Sequence, residues 1–150
     1  MPADRRFFHG RRLDGQGRRA GLFKVALMVM VGGAVGALGR YMIGVGMGLW
    51  LGLPAQSYVT TPLVNIAGCF MLGVLTETLA LVWSVSYEVR AMLVVGLLGA
   101  FTTFSAFAFD FFYLVERGDW LIAGGYVGIS VVVSLGAFFL GLSLIRVVMT

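Results

Sequence analysis

The chain has 150 residues, of which 59% are hydrophobic and only 12% are charged, and its mean hydropathy is +0.95. Soluble globular proteins carry about 25% charged residues, so this composition excludes an ordinary water-soluble domain. The net charge is +4, but six arginines and Lys24 lie within the first 24 residues. Membrane topology explains that clustering better than nucleic acid does, and we expect no nucleic-acid partner.

The chain begins with a polar, arginine-rich and glycine-broken segment over residues 1–20. Such a composition predicts a disordered basic N-terminal tail. The apolar stretch that follows is much longer than the hydrophobic core of a secretory signal peptide. We therefore expect residues 21–150 to form an all-α membrane domain that retains its first apolar segment.

Four long apolar stretches make up that domain, and each exceeds the roughly 20 residues that cross a bilayer core. Their short connections make neighbouring helices antiparallel. The second stretch has a recognisable start, with Thr60 or Thr61 as N-cap and Pro62 in the first turn. The predicted spans are 22–51, 58–83, 89–115 and 120–148.

The distribution of arginines predicts the orientation. Four spans place both chain ends on one side, which carries the basic tail together with Arg90 and Arg146. The opposite side has Arg117 alone. The positive-inside rule therefore favours cytoplasmic termini, and we expect a multi-pass protein of the cell's inner (plasma) membrane, surrounded by lipid.

Two polar residues stand out in the first two spans, because unpaired polar groups are costly in lipid. Arg40 follows several glycines and is either a snorkelling, structural side chain or an electropositive element of an anion vestibule. Asn65 lies one turn into the second span. Its amide either makes an interhelical packing bond or offers a donor to an anion. The glycines that would let another helix approach near Arg40 are Gly32, Gly33, Gly36 and Gly39.

The third span contains the most unusual stretch, GLLGAFTTFSAFAFD over residues 96–110. A polar, glycine-containing group at mid-span disfavours a regular helix, and irregular backbone at this depth must be buried in protein or line a water cavity. A broken helix exposes carbonyls that hold a cation and N–H groups that face an anion. The members of this group are Gly99, Thr102, Thr103 and Ser105.

In two further sets of residues, one in the third span and one in the fourth, the members of each set lie on one face of their helix. Spacing of three aligns two phenylalanines with an aspartate in the third span, a stripe that by itself usually means packing. Spacing of four aligns three hydroxyls in the fourth span, which form a polar track or bond back to their own helix. The first set is Phe104, Phe107 and Asp110, and the second is Tyr126, Ser130 and Ser134.

The sequence offers no catalytic constellation. Its single histidine, His9, lies in the tail, no close pair of carboxylates lies on one span, and no His/Cys metal spacing or phosphate-binding loop occurs. We therefore do not expect an enzyme.

These segments resemble those of the CrcB family of fluoride channels, also called Fluc. The resemblance covers nearly the whole chain after the tail and is most specific where a VN-x-x-G-x-F motif is combined with a TTFS break. The matching segments are GGAVGALGRY, VNIAGCFMLG, GLLGAFTTFSAF and the Tyr126, Ser130 and Ser134 register.

The resemblance implies a passive fluoride-exporting channel made of two four-helix subunits, antiparallel in the membrane, with two pores. It also implies a structural sodium ion held by the backbone carbonyls of Gly99 and Thr102. Its implied fluoride pathway comprises Arg40, Asn65, Thr103, Phe104, Ser105, Phe107, Tyr126, Ser130 and Ser134.

Some residues depart from the family pattern. Ala100 stands where a second glycine is usual, Ala106 replaces a hydroxyl residue, and Asp110 replaces a glutamate. The long basic tail is also atypical. It leaves open a homodimer or a heterodimer with an oppositely oriented paralogue, because charge near a span biases insertion.

Two other classes compete with a channel. A small multidrug-type exporter is also a four-span dimer, but it needs a carboxylate in the first span, where this chain has Arg40. A non-transporting assembly subunit would explain the glycines but gives no reason for a polar break in the third span.

Overall fold

The computed structural model describes residues 10–54 and 57–149, without the side chains of residues 10–16, and every regular element there is helical. Four helical stretches are long and apolar enough to cross a membrane, as the sequence predicts. In the third stretch, a π-helical segment, Met92–Leu98, separates two short α-helices. The helices are α1 Gly10–Leu51, α2 Thr60–Leu81, α3 Tyr87–Ala91, α4 Gly99–Phe101, α5 Phe104–Glu116 and α6 Trp120–Met149.

Helix α1 begins within the segment that the sequence predicts to be a disordered tail. It is continuous from Gly10, whereas residues 1–9 lie outside the described residues. Once a long helix exists, each added residue gains a hydrogen bond without a new nucleation cost. The expected boundary at residue 20 therefore falls inside a continuous helix.

The start of α2 differs from the prediction. Its N-cap position is Val59, and the hydroxyl of Ser57 accepts from the N–H groups of Val59 and Thr60 at 3.3 and 3.2 Å. The Thr60 hydroxyl accepts from the Ser57 N–H at 3.0 Å. Thr60 and Thr61 are therefore wrong as N-caps, because a serine upstream serves the free N–H groups, while Pro62 does lie in the first turn.

Helix α1 packs along the π-helical segment Met92–Leu98. A methyl group added at Gly32 or Gly36 would overlap the backbone of that segment, so these two glycines set the distance between the helices. Gly39 and Gly33 have more room, with nearest atoms at 3.7 and 4.0 Å from such a methyl. Of these four glycines, only Gly32 and Gly36 are confirmed as positions where an added methyl group would overlap the backbone of the neighbouring helix.

Helix α2 packs along α6. Here, too, glycines make the contact: Gly73 lies against the backbone at Phe138, and Gly141 lies against the backbone at Phe70. The bundle thus consists of two tightly packed helix pairs, and the second half of the third span, α5, completes it against α6.

Replacing Gly36 by alanine is expected to lower the free energy of unfolding by about 1–3 kcal/mol, because the new methyl overpacks the contact with the π-helical segment. Gly46 is a matched control on the same helix, since nothing lies within 4 Å of a methyl added there. Gly46→Ala should be neutral or stabilising by up to about 1 kcal/mol, because alanine favours the helix. Denaturant titration in detergent micelles measures both. Equal stability of the two variants would contradict the packing assignment.

Ion pairs lie at both ends of the bundle. At one end Arg146 contacts the buried Glu77 at 2.9 Å, and Arg90 donates to a carbonyl in the last turn of α2 at 3.2 Å. At the other end Arg117 lies 3.3 Å from Asp119. Arg90 and Arg146 therefore share one end of the bundle, as the orientation argument requires.

Candidate functional site: a helix break and a polar groove

The third span, Tyr87–Glu116, is interrupted near its middle. Helix α4 ends at Phe101, and Thr102 and Thr103 adopt extended conformations before α5 begins at Phe104. The hydroxyl of Thr103 caps α5 by accepting from the Ala106 N–H at 3.2 Å. The polar group in the sequence thus produces the predicted break.

Asn65 holds the break in place from α2. Its amide nitrogen donates to the Thr103 carbonyl at 2.9 Å, and its amide oxygen accepts from the Thr103 N–H at 2.8 Å. Both backbone groups of Thr103 are therefore satisfied without water, as a position inside a membrane protein demands. One amide hydrogen of Asn65 remains for another partner.

These bonds release two carbonyls. In a regular helix the Gly99 carbonyl would accept from the Thr103 N–H, and the Thr102 carbonyl would accept from the Ala106 N–H. Asn65 and the Thr103 hydroxyl take those two N–H groups instead. Carbonyls freed by a broken helix are ligands that suit Na⁺, so the chemistry of Gly99 and Thr102 fits the implied sodium ion.

Most of the predicted pathway residues meet in one groove of about 300 Å³ between α2, the break, α5 and α6. We call it the polar groove. Its walls combine an amide, hydroxyls and two aromatic rings. The residues that line it are Asn65, Cys69, Thr102, Thr103, Phe104, Phe107, Ser130, Val131, Ser134 and Leu135.

The two phenylalanine rings that line the groove are in contact with each other, and one of them also contacts Tyr126 behind it. The ring centroids of Phe104 and Phe107 are 5.2 Å apart, and Phe107 stacks on Tyr126 at 5.1 Å. Tyr126 is buried and donates its hydroxyl to Asp110 at 3.2 Å. Tyr126 therefore supports the groove through Phe107 and is not among the residues that line it.

The three predicted hydroxyls of α6 have different environments. Tyr126 is paired with Asp110, and Ser134 lines the polar groove, as Cys69 does. Ser130 is buried, and among the residues that the structure describes its hydroxyl has no hydrogen-bond partner. An unpaired polar atom in a membrane span is costly, and Ser130 is also one of the residues that line the polar groove.

Arg40 lies on the other side of the break. Its Nε donates to the Ala100 carbonyl at 3.2 Å, so the side chain is held by the protein and does not snorkel. It lines a second cavity, of about 430 Å³, with Thr60, Thr61 and Thr103. Ser105 bonds to the Thr103 hydroxyl at 3.0 Å and also lies on the Arg40 side. The structure thus separates Arg40 and Ser105 from the polar groove.

Comparison with known proteins identifies the architecture. The family model described as "CrcB-like protein, Camphor Resistance (CrcB)" matches residues 27–142, which include most of the first and fourth spans, both middle spans and the break. The chain belongs to the CrcB family.

Curated CrcB-family relatives match over most of their length. The "Fluoride-specific ion channel FluC" of Rhodospirillum centenum is 49% identical over 123 residues, covering 82% of this chain and 96% of the relative. Proteins of the same name from Nitrobacter winogradskyi and Rhizobium etli are 42% and 44% identical, each covering 81% of this chain and 95% of the relative.

Two residues of the site were not predicted from the CrcB-like motifs. Cys69 is not among the predicted pathway residues, yet it lies one helical turn after Asn65, and that spacing places both on the groove side of α2. Asp110 was expected to share a helical face with Phe104 and Phe107 and to depart from the family pattern, but it was not among the predicted pathway residues. Its spacing of three from Phe107 was the available signal, and burial with Tyr126 is the result.

Proposed function

We propose that this chain is a subunit of a fluoride-selective channel, which lets fluoride leave the cytoplasm passively and so prevents its toxicity. One observation supports this most directly: the polar groove brings an amide, hydroxyls and ring edges together beside a helix break. No carboxylate is among the described residues that line it. The names of the curated relatives support the same ion.

The chemistry of the groove suits fluoride. Fluoride is small and strongly hydrated, so its water must be replaced by hydrogen-bond donors and positive partial charge. The free amide hydrogen of Asn65 and the unpaired hydroxyl of Ser130 supply donors. The edges of the Phe104 and Phe107 rings supply positive partial charge, whereas a ring of carboxylates would attract cations.

Arg40 has a separate role in this proposal. Its guanidinium stands in the second cavity beside the break, where it attracts anions toward the pathway and repels cations. Because Nε is bound to Ala100, the charge is fixed in place. Ser105 adds a hydroxyl to a smaller cavity, of about 230 Å³, which Arg40 also lines.

A single subunit leaves the site incomplete. The Phe104 side chain is 77% exposed, and the polar groove is open on one side. A second copy, antiparallel in the inner membrane, would cover these rings and complete two pores. The arginines at one end of the chain favour one orientation, so an oppositely oriented paralogue is the alternative partner.

Sodium belongs to the same proposal. The carbonyls of Gly99 and Thr102 would hold the ion at the break, where its positive charge fixes an irregular backbone. Asn65 and the cap on α5 present those carbonyls by occupying the N–H groups that would otherwise bind them. In this arrangement Ala100 next to Gly99 adds a methyl group that limits how far the site can adjust.

Growth of a fluoride-sensitive bacterium that lacks its own exporter tests the function. Expression of the chain is expected to restore growth on fluoride, whereas the empty vector does not. The small multidrug-type exporter predicts a different result, namely resistance to cationic dyes without resistance to fluoride. That result, with the protein detected in the membrane, would contradict the proposal.

A further inference from the structure

Cys69 is the single cysteine of the chain, and it lies on the wall of the polar groove. It follows Asn65 by one turn on α2 and is only partly buried, and Ser134 of α6 lines the same groove. A structural cysteine buried in apolar packing would be inaccessible. This one faces the groove that contains the proposed fluoride pathway.

A second feature of the same groove points to a ligand. Ser130 is 6% exposed, its Oγ has no hydrogen-bond partner among the described residues, and it also lines the groove. Cys69 thus shares its groove with a buried oxygen that lacks a partner. Sulfur is a soft ligand that selects thiophilic metals, and the groove's volume of about 300 Å³ leaves room for a metal ion with a small co-ligand.

We infer that Cys69 is a binding site for a thiophilic metal cation such as Hg²⁺, and that metal bound there closes the fluoride pathway. The closure rests on the proposed function. The binding itself does not.

The chemistry is a ligand exchange. Mercuric chloride is uncharged and can reach a groove within the membrane. The Cys69 S–H bond breaks and its proton goes to water, while an S–Hg bond forms and one chloride leaves the mercury. Neither sulfur nor mercury changes oxidation state. The bound S–Hg–Cl group then stands between Asn65, Phe107 and Ser134, where fluoride would pass.

The test uses the purified full-length protein in liposomes, with fluoride efflux and intact mass measured before and after mercuric chloride. We expect one mercury per chain and fluoride efflux reduced to the level of protein-free liposomes. After dithiothreitol removes the metal, the original mass and the original efflux should both return. Recovery excludes unfolding as the cause. Cys69→Ser should bind no mercury, and its efflux, compared with its own metal-free trace, should not change.

A matched control separates binding from closure. Leu22, near the start of the membrane portion of α1, is 70% exposed, and Leu22→Cys in the Cys69→Ser background should bind one mercury without a change in efflux. Mercury bound to Cys69 with unchanged efflux, no mercury bound, or equal inhibition of Cys69→Ser would each overturn the inference. Absence of efflux before metal is added would instead contradict the proposed function, and the mass measurement would still decide the metal site.

Discussion

Replacing Asn65 by leucine is expected to abolish fluoride efflux and to destabilise the protein. Both backbone groups of Thr103 would lose their partners, at a cost of roughly 1–3 kcal/mol for each buried group left unsatisfied. The Thr103 N–H would be free to bond the Gly99 carbonyl again and so remove a proposed sodium ligand. Denaturant titration in micelles and efflux from liposomes measure the two effects.

Thr76→Val is the matched control for that experiment. Thr76 is on the same helix, and its hydroxyl bonds only to the Leu72 carbonyl one turn earlier. Its loss should change stability by less than about 0.5 kcal/mol, as is usual for exposed positions, and should leave efflux intact. If Asn65→Leu behaved like Thr76→Val, Asn65 would not hold the break.

Replacing Phe107 or Phe104 by isoleucine is expected to slow fluoride efflux by about tenfold or more, equivalent to a barrier higher by about 1.4 kcal/mol. Isoleucine keeps an apolar side chain but lacks the positive ring edge. Phe107 should show the larger effect on stability, because it also stacks on Tyr126. Efflux is measured on protein whose assembly has been checked by size-exclusion chromatography.

The control for the two phenylalanines is Phe139→Ile on α6. Phe139 is 61% exposed and pairs edge-on with Phe138 at 5.6 Å, away from the polar groove. Its replacement should leave efflux unchanged. Normal efflux from both Phe104→Ile and Phe107→Ile would reduce those rings to packing residues.

Much of the fold could be predicted because it depends on local composition. The four spans follow from the length and hydropathy of each apolar stretch, and the break follows from adjacent threonines at mid-membrane. Gly32 and Gly36 were correctly expected to admit another helix. The π-helical segment Met92–Leu98 was not predicted, because it forms where Gly96 packs against the backbone of α1, a contact distant in the sequence.

In the candidate site, too, local motifs could be predicted, but contacts between residues distant in the sequence could not. The motifs named most of the residues that line the polar groove, but not how their polar atoms pair. Asn65 and Thr103 are 38 positions apart, and Arg40 and Ala100 are 60 apart. Sequence spacing therefore could not show that the Asn65 amide binds the Thr103 backbone or that the Arg40 guanidinium binds the Ala100 carbonyl. The Ser57 hydroxyl, which accepts from N–H groups at the start of α2, was not predicted for a different reason. Thr60 and Thr61 lie closer in the sequence to Pro62 and were taken as the N-cap candidates.

If the proposed function is correct, the purified chain conducts fluoride and excludes chloride. The most direct measurement records both ions with selective electrodes outside the same proteoliposomes, after a potassium ionophore relieves the membrane potential. We predict rapid fluoride efflux down its gradient while chloride stays inside. Equal efflux of the two anions would contradict selectivity for fluoride, and fluoride efflux no faster than from protein-free liposomes would contradict the channel itself.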